Sequence, residues 1–265
     1  MSRRGGVVEA VMLALAGVIA AQVCVTVAST SGSPGGAPAK RVERILFIGN
    51  SLTFANDLPR MVRDVVEHGT SMTVEYDAVA FPDFSLEDHW NDGRARRALQ
   101  SGQWTLVVMQ QGPSASAEGR QVLREYATKF AELGKIRGAR SALYTVWPSR
   151  SRLGDIDAVI ESHRLAAQDA GAGLVPVGVA WRGALRADPS LPLYADDGFH
   201  PSRIGTYLAA LVFREWLTGE PPGGFTRTLR RPPRLAPPVA SLLEDAAHLA
   251  VRDAVLATGG SPIPR

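Results

Sequence analysis

The stretch "ILFIGNSLTF", residues Ile45 to Phe54, decides the fold. Four apolar residues run without a polar break, as a strand covered on both faces of a parallel sheet requires. The run stops at Gly49-Asn50-Ser51 and gives way to a polar, helix-starting segment. A serine at that boundary has two readings. It can cap the following helix, the commoner reason to find one there. It can also be a nucleophile held at the carboxyl edge of a sheet, in which case a base must come from far downstream.

Working outward, β-rich apolar runs recur at residues 44–48, 72–80, 105–110, 141–146 and 174–179. The segments between them carry helical periodicity. Leu58, Met61, Val62, Val65 and Val66 form one stripe, with Pro59 in a first turn after Asp57. Val122, Leu123, Tyr126, Phe130 and Leu133 form a second, Ile156, Val159, Ile160 and His163 a third, and Ile204, Tyr207, Leu208, Leu211, Val212 and Trp216 a fourth. A last helix is expected from about Val239 to Leu256. Strand and helix in alternation predict an α/β fold with a doubly wound, about five-stranded parallel sheet. In such sheets the ligand site lies at the carboxyl ends of the strands, near the point where strand order reverses, and Ser51 would stand at that edge.

The 265 residues are 45% hydrophobic and 21% charged, enough for one globular domain with a full core. Net charge is +3, and the arginine cluster at Arg227, Arg230, Arg231 and Arg234 has no interleaved aromatics. It reads as a solvated surface, with no nucleic-acid partner expected. Arg3 and Arg4 precede an apolar stretch from Val7 to Ala28, then a Ser/Gly/Pro linker. Residues 1–30 are therefore expected to be a signal peptide or an N-terminal anchor that tethers the chain to a membrane, 31–40 a linker, 41–258 one domain and 259–265 a tail. Either reading of the first segment exports the domain. Cys24 stands alone, so the monomer holds no disulfide and the exported fold rests on its core.

A hydroxyl is a poor nucleophile until a base takes its proton, usually a histidine oriented by a carboxylate. Of five histidines, His68, His163 and His248 fall on helical stretches and read as structural or surface groups, while His89 lies near the end of the second strand and could line a pocket. His200 is placed differently. "YADDGFHPSRIG" sets it in a glycine-containing loop just before a helix, with Asp197 three residues earlier. That spacing lets the carboxylate fold back onto one imidazole nitrogen while the other faces outward. Asp197 could equally be a turn former, since Asp-Gly is a strong turn signal.

Together, "FIGNSLT" and "DGFHPS" resemble the first and last blocks of the SGNH/GDSL hydrolase superfamily, esterases and lipases with a flavodoxin-like three-layer sandwich. The resemblance runs from Arg44 to about Trp216 and implies Ser51 as nucleophile with Asp197 and His200 completing a triad. It further implies an oxyanion hole built from the Ser51 N–H, a glycine N–H after the second strand and an asparagine amide after the third. Here the middle blocks differ. In "AFPDFSLEDHW" the glycine position falls on Asp83, and "VVMQQGPSAS" holds no asparagine. The resemblance to branches that use glutamine carries the amide role to Gln110, with Gln111 as the alternative. The two glutamines could instead close off the strand by bonding backbone groups. Asn50, Trp147 and His89 are expected around the substrate pocket, and Trp181 and Arg182 as packing.

The leading expectation is thus a serine esterase that forms an acyl-enzyme, needs no metal or cofactor, and acts on a small or glycan ester. A non-catalytic binding module on the same fold is the alternative, favoured by the altered middle blocks and opposed by Ser51, Asp197 and His200. Nucleotide binding ranks last, because neither G-x-G-x-x-G nor G-x-x-x-x-G-K-[ST] follows any strand.

Overall fold

The computed structural model describes residues 41–228 and 235–258, so the expected leader, linker and tail, and Arg230, Arg231 and Arg234, lie outside the described residues. Strand β1 (Arg41–Gly49) leads into a short α1 (Ser51–Phe54) and then α2 (Leu58–Glu67), β2 (Met72–Ala80), α3 (Leu86–Asp92) and α4 (Arg94–Ser101). The chain continues as β3 (Leu106–Met109), α5 (Ala117–Ile136), β4 (Arg140–Tyr144), α6 (Ile156–Asp169) and β5 (Gly173–Val175). It closes with α7 (Val177–Ala187), α8 (Arg203–Thr218) and α9 (Pro237–Thr258).

The five strands form one sheet in the order β2-β1-β3-β4-β5, every pair parallel. Strand order reverses between β1 and β3, so the switch point lies where the Ser51 and Gln110 segments leave the sheet. Ile45 and Phe47 pack into one core with residues of α2, α8 and α9, and Leu46 and Ile48 into the other with residues of α4 and α5. All four are fully buried, which at about 1.5–3 kcal/mol each makes the quoted run a main source of cohesion. This is a three-layer sandwich, as expected.

Two boundaries differ from the sequence reading. β1 starts at Arg41, ahead of the apolar run, because the buried Glu43 carboxylate is satisfied there. It accepts from Thr105 Oγ1 at 2.6 Å, Arg140 Nη2 at 2.6 Å and Arg41 Nη2 at 3.0 Å. The run at 174–179, read as a single strand, ends at Val175. Pro176 lacks the N–H that a further ladder bond needs, and α7 starts directly after it. Val177, Ala180, Trp181, Ala184 and Leu185 are its buried face, a helical spacing present in the sequence but masked by the β-branched start. The stripes at α2, α5, α6 and α8 fall where periodicity puts them. His163, buried in α6, donates from Nδ1 to the Val159 carbonyl, 2.9 Å away; burial pushes its pKa down to about 4, leaving it neutral and structural. Among the described residues no helix is long and apolar enough to cross a membrane.

Candidate active site

The capping reading of Ser51 does not hold. Asn50, not Ser51, is the N-cap of α1: its Oδ1 accepts from Leu52 N at 3.1 Å. Ser51 is the first helical residue, 8% exposed. Its hydroxyl is therefore not needed to start the helix, and its N–H is one of the amides that a helix start leaves without an intrahelical partner. Gly49 is required just before it. A Cβ at that position would sit 2.2 Å from Thr53 Oγ1 and 2.6 Å from Gln110 Oε1.

On the far side of the chain, Asp197 and His200 come together as the D-x-x-H spacing predicts. His200 Nδ1 lies 2.5 Å from Asp197 Oδ2, while Asp197 Oδ1 accepts from the N–H groups of Phe199 at 2.8 Å and His200 at 2.9 Å. One carboxylate thus both forms the turn and orients the ring. The histidine hydrogen bond, and then the two backbone bonds, hold the Asp197 pKa down at about 2. Gly198 adopts a φ of 68°, which glycine takes without strain.

The loop is braced from several sides. Arg150 N donates to Gly198 O at 2.8 Å, Tyr194 Oη to Pro148 O at 2.8 Å and Trp147 Nε1 to Phe199 O at 3.1 Å. Trp147 in turn stacks on Trp181, centroids 3.6 Å apart and planes 2° from parallel. Asn56, five residues after Ser51, ties the two halves of the site together: its Nδ2 donates to Pro201 O and to Thr206 Oγ1, each at 2.9 Å. Asn56 was not singled out from the sequence. Its φ of 53° is a conformation asparagine tolerates better than most residues, and the Asn-Asp pair was the only hint. The structure records the Asp197–His200 bond but none between His200 and Ser51.

The remaining candidates lie elsewhere than expected. Gln110 is fully buried, and its amide turns into the protein: Oε1 accepts from Asn50 N at 2.9 Å and Thr53 Oγ1 at 2.8 Å, and Nε2 donates to Asn50 Oδ1 at 2.9 Å. Gln111 Oε1 accepts from Leu86 N at 3.0 Å, and its Nε2 donates to Ser114 Oγ at 3.0 Å. Both glutamines thus serve neighbouring chain, as the strand-closing reading anticipates for them. His89 does not line an open pocket. It is buried with Phe81 and Phe84 against its ring, and its Nε2 bonds Gly49 O at 2.7 Å, so it buttresses the strand end. Trp147 is likewise buried beneath the His200 loop, away from a pocket wall. Asn50 is buried beside Ser51, where its Nδ2 donates to Phe84 O at 3.1 Å. Asp83 is exposed, with a φ of 60°. That left-handed backbone explains why the resemblance places a glycine here and why an aspartate, which tolerates the region, can replace it.

A cavity of about 320 Å³ opens beside the His200 loop, lined by Pro113, Ser116, Pro148, Ser149, Arg152 and Phe199. A larger hollow of about 720 Å³ lies along α5, but neither a serine nor a histidine is among the residues that line it. Among the described residues no group of three or more His, Cys, Asp or Glu is arranged to hold a metal ion.

The chain matches no family model and no curated protein. Among solved structures, a Slackia heliotrinireducens protein classed as an SGNH hydrolase is 32% identical, over 66% of this chain and 98% of its own, with a TM-score of 0.57. A DUF4886 family protein from Bacteroides uniformis is 18% identical over 80% of this chain and 95% of its own, with a TM-score of 0.68. A lipase/acylhydrolase from Enterococcus faecalis is 16% identical over 67% and 96%, with a TM-score of 0.51. At those identities the last two show a shared fold.

Proposed function

The chain belongs to the SGNH hydrolases, and from that premise we propose that it is a serine esterase. Ser51 Oγ attacks the ester carbonyl while His200 Nε2 takes its proton, and Asp197 stabilises the imidazolium that forms. The N–H groups of Ser51 and Asp83 hold the oxyanion of the tetrahedral intermediate. Collapse expels the alcohol, protonated by His200, and leaves an acyl-serine that water releases through the same steps. The observation that carries this reading is the 2.5 Å bond from His200 Nδ1 to Asp197 Oδ2, in a loop that Asn56 ties to the Ser51 segment.

The cavity beside the loop supports a small or glycan ester as substrate: at about 320 Å³ and bordered by Ser116, Ser149 and Arg152, it suits a compact polar group better than a long acyl chain. The apolar N-terminal stretch supports action outside the cytoplasm, by a secreted or membrane-tethered enzyme. Incubation with a fluorophosphonate and mapping of the modified residue tests the mechanism. Label on Ser51 is expected. No label, or label on another residue, returns the chain to the alternative of a binding module on a hydrolase fold.

The Asp83 assignment has its own test. Only the backbone N–H is asked to act, and a carboxylate turned toward a developing negative charge would oppose the transition state. Asp83→Gly keeps the N–H and suits the φ of 60°, so kcat on a short-chain ester is expected to stay level or rise. A loss of about a hundredfold or more, the low end for removing one oxyanion donor, in a protein of unchanged Tm would overturn this hole.

A further inference from the structure

We propose that Gln110 is a positioning residue that works through Asn50: its carboxamide fixes the first turn of α1 and the Asp83 loop in register, so that two backbone N–H groups converge on one oxygen. This rests on the esterase reading above. It replaces the expectation that the Gln110 amide touches the oxyanion itself.

The geometry is a closed pairing. Gln110 Oε1 accepts the Asn50 backbone N–H while Gln110 Nε2 donates to Asn50 Oδ1, so one side chain grips both the main chain and the side chain of the residue before the nucleophile. Asn50 passes the constraint on in two directions. Its Oδ1 also accepts from Leu52 N, which sets the turn that presents Ser51. Its Nδ2 donates to Phe84 O, which holds the segment next to Asp83. Thr53 Oγ1 sits 2.8 Å from Gln110 Oε1 and 3.0 Å from Tyr144 Oη, anchoring the glutamine to β4.

Of the side chains of that reach in their ordinary ionisation states, only a carboxamide does the same. The site needs an acceptor for Asn50 N–H and Thr53 O–H and, on the same group, a donor for Asn50 Oδ1. A carboxamide has both; an ionised carboxylate has only acceptors. The pairing is fully buried, where a polar group without a partner is costly and a satisfied network is rigid. Tyr144 is part of the same buried set, its phenol pKa pushed upward mainly by burial, so it stays a neutral hydroxyl that donates to Thr53 Oγ1, whose own proton goes to Gln110 Oε1.

A double-mutant cycle separates action through Asn50 from direct contact with the oxyanion. With a short-chain aryl ester, Gln110→Ala is expected to lower kcat about 100- to 1000-fold, the range for losing one oxyanion donor, and to change KM by less than about threefold. In an Asn50→Ala background the same change is expected to lower kcat by less than about threefold more, since the grip has already been lost. Should Gln110→Ala cost its full factor again in that background, Gln110 contacts the reaction directly and the proposal is wrong.

Gln110→Glu is the near-isosteric check in case the alanine variants do not fold. Its activity relative to wild type at the same pH is expected to climb as pH falls from about 8 to 6, because a protonated carboxyl regains the donor that Asn50 Oδ1 needs. A pH-independent ratio overturns the proposal. Wild-type protein that neither hydrolyses the ester nor takes the fluorophosphonate removes the esterase reading and this inference together. Wild-type protein that does both, beside a folded Gln110→Ala variant with unaltered kcat, removes this inference alone.

Discussion

Ser51→Ala is expected to lower kcat/KM for a short-chain aryl ester by on the order of 10⁴-fold or more, and to abolish fluorophosphonate labelling, without changing the Tm by more than a degree or two. The structure separates the two consequences. The cap of α1 is Asn50, whose side chain accepts from Leu52 N, so the alanine variant keeps its helix start. Alanine is also the best helix former and leaves the Cβ in place, while the main-chain N–H assigned to the oxyanion in the proposed mechanism survives. What disappears is the one oxygen that can become an acyl-serine. Initial rates on purified variant and wild type, with thermal melts of both, decide the outcome. Wild-type turnover by a normally melting Ser51→Ala protein would end the nucleophile assignment.

Asp197→Asn is the second large effect, on the order of 10²- to 10⁴-fold in kcat with the fold retained. An asparagine at 197 still offers an oxygen to the N–H groups of Phe199 and His200, the bonds that make the turn. Its amide nitrogen, however, would face His200 Nδ1 where Oδ2 now accepts. The ring must then present a lone pair there and carry its proton on Nε2, the atom that receives the proton of Ser51 in the proposed mechanism.

The pH behaviour follows from the same bond. The Asp197 carboxyl sits at about 2, below its ordinary value. The stability tied to that shift is complete above about pH 4 and lost as pH falls toward 2, and it is small because the pair is half exposed. Between about pH 5 and 9 Asp197 is charged throughout, so a limb of the rate profile inside that window belongs to a group other than Asp197.

Much of this was legible from residue order because the relevant constraints are local. The Ile45–Ile48 run reads as a doubly covered strand without reference to anything else, and the Asp197–His200 pair closes within a single turn. Legibility stopped where the decision belongs to distant chain. Gln110 at the end of β3 is equally compatible with an amide aimed at substrate or inward; Asn50 and Thr53, about sixty residues earlier, choose the inward one. Trp147 and Trp181 are separated by a whole helix and strand, so no local pattern announces their stack. The left-handed backbone at Asp83 was half visible, since a proline-aspartate pair marks a turn but not its dihedral angles.

The stacked indoles have a consequence for observation as well as for rigidity. Trp147 holds the Phe199 carbonyl, one residue from the base, and lies flat against Trp181 in a dry setting. Any opening of the base-bearing loop must break that N–H bond and admit water to an indole, which shifts emission to longer wavelength. Trp90 and Trp104 pack against the other core and Trp216 sits on α8 in the same core as the stack, so with those three replaced by phenylalanine the remaining fluorescence becomes a clock for loop motion during turnover.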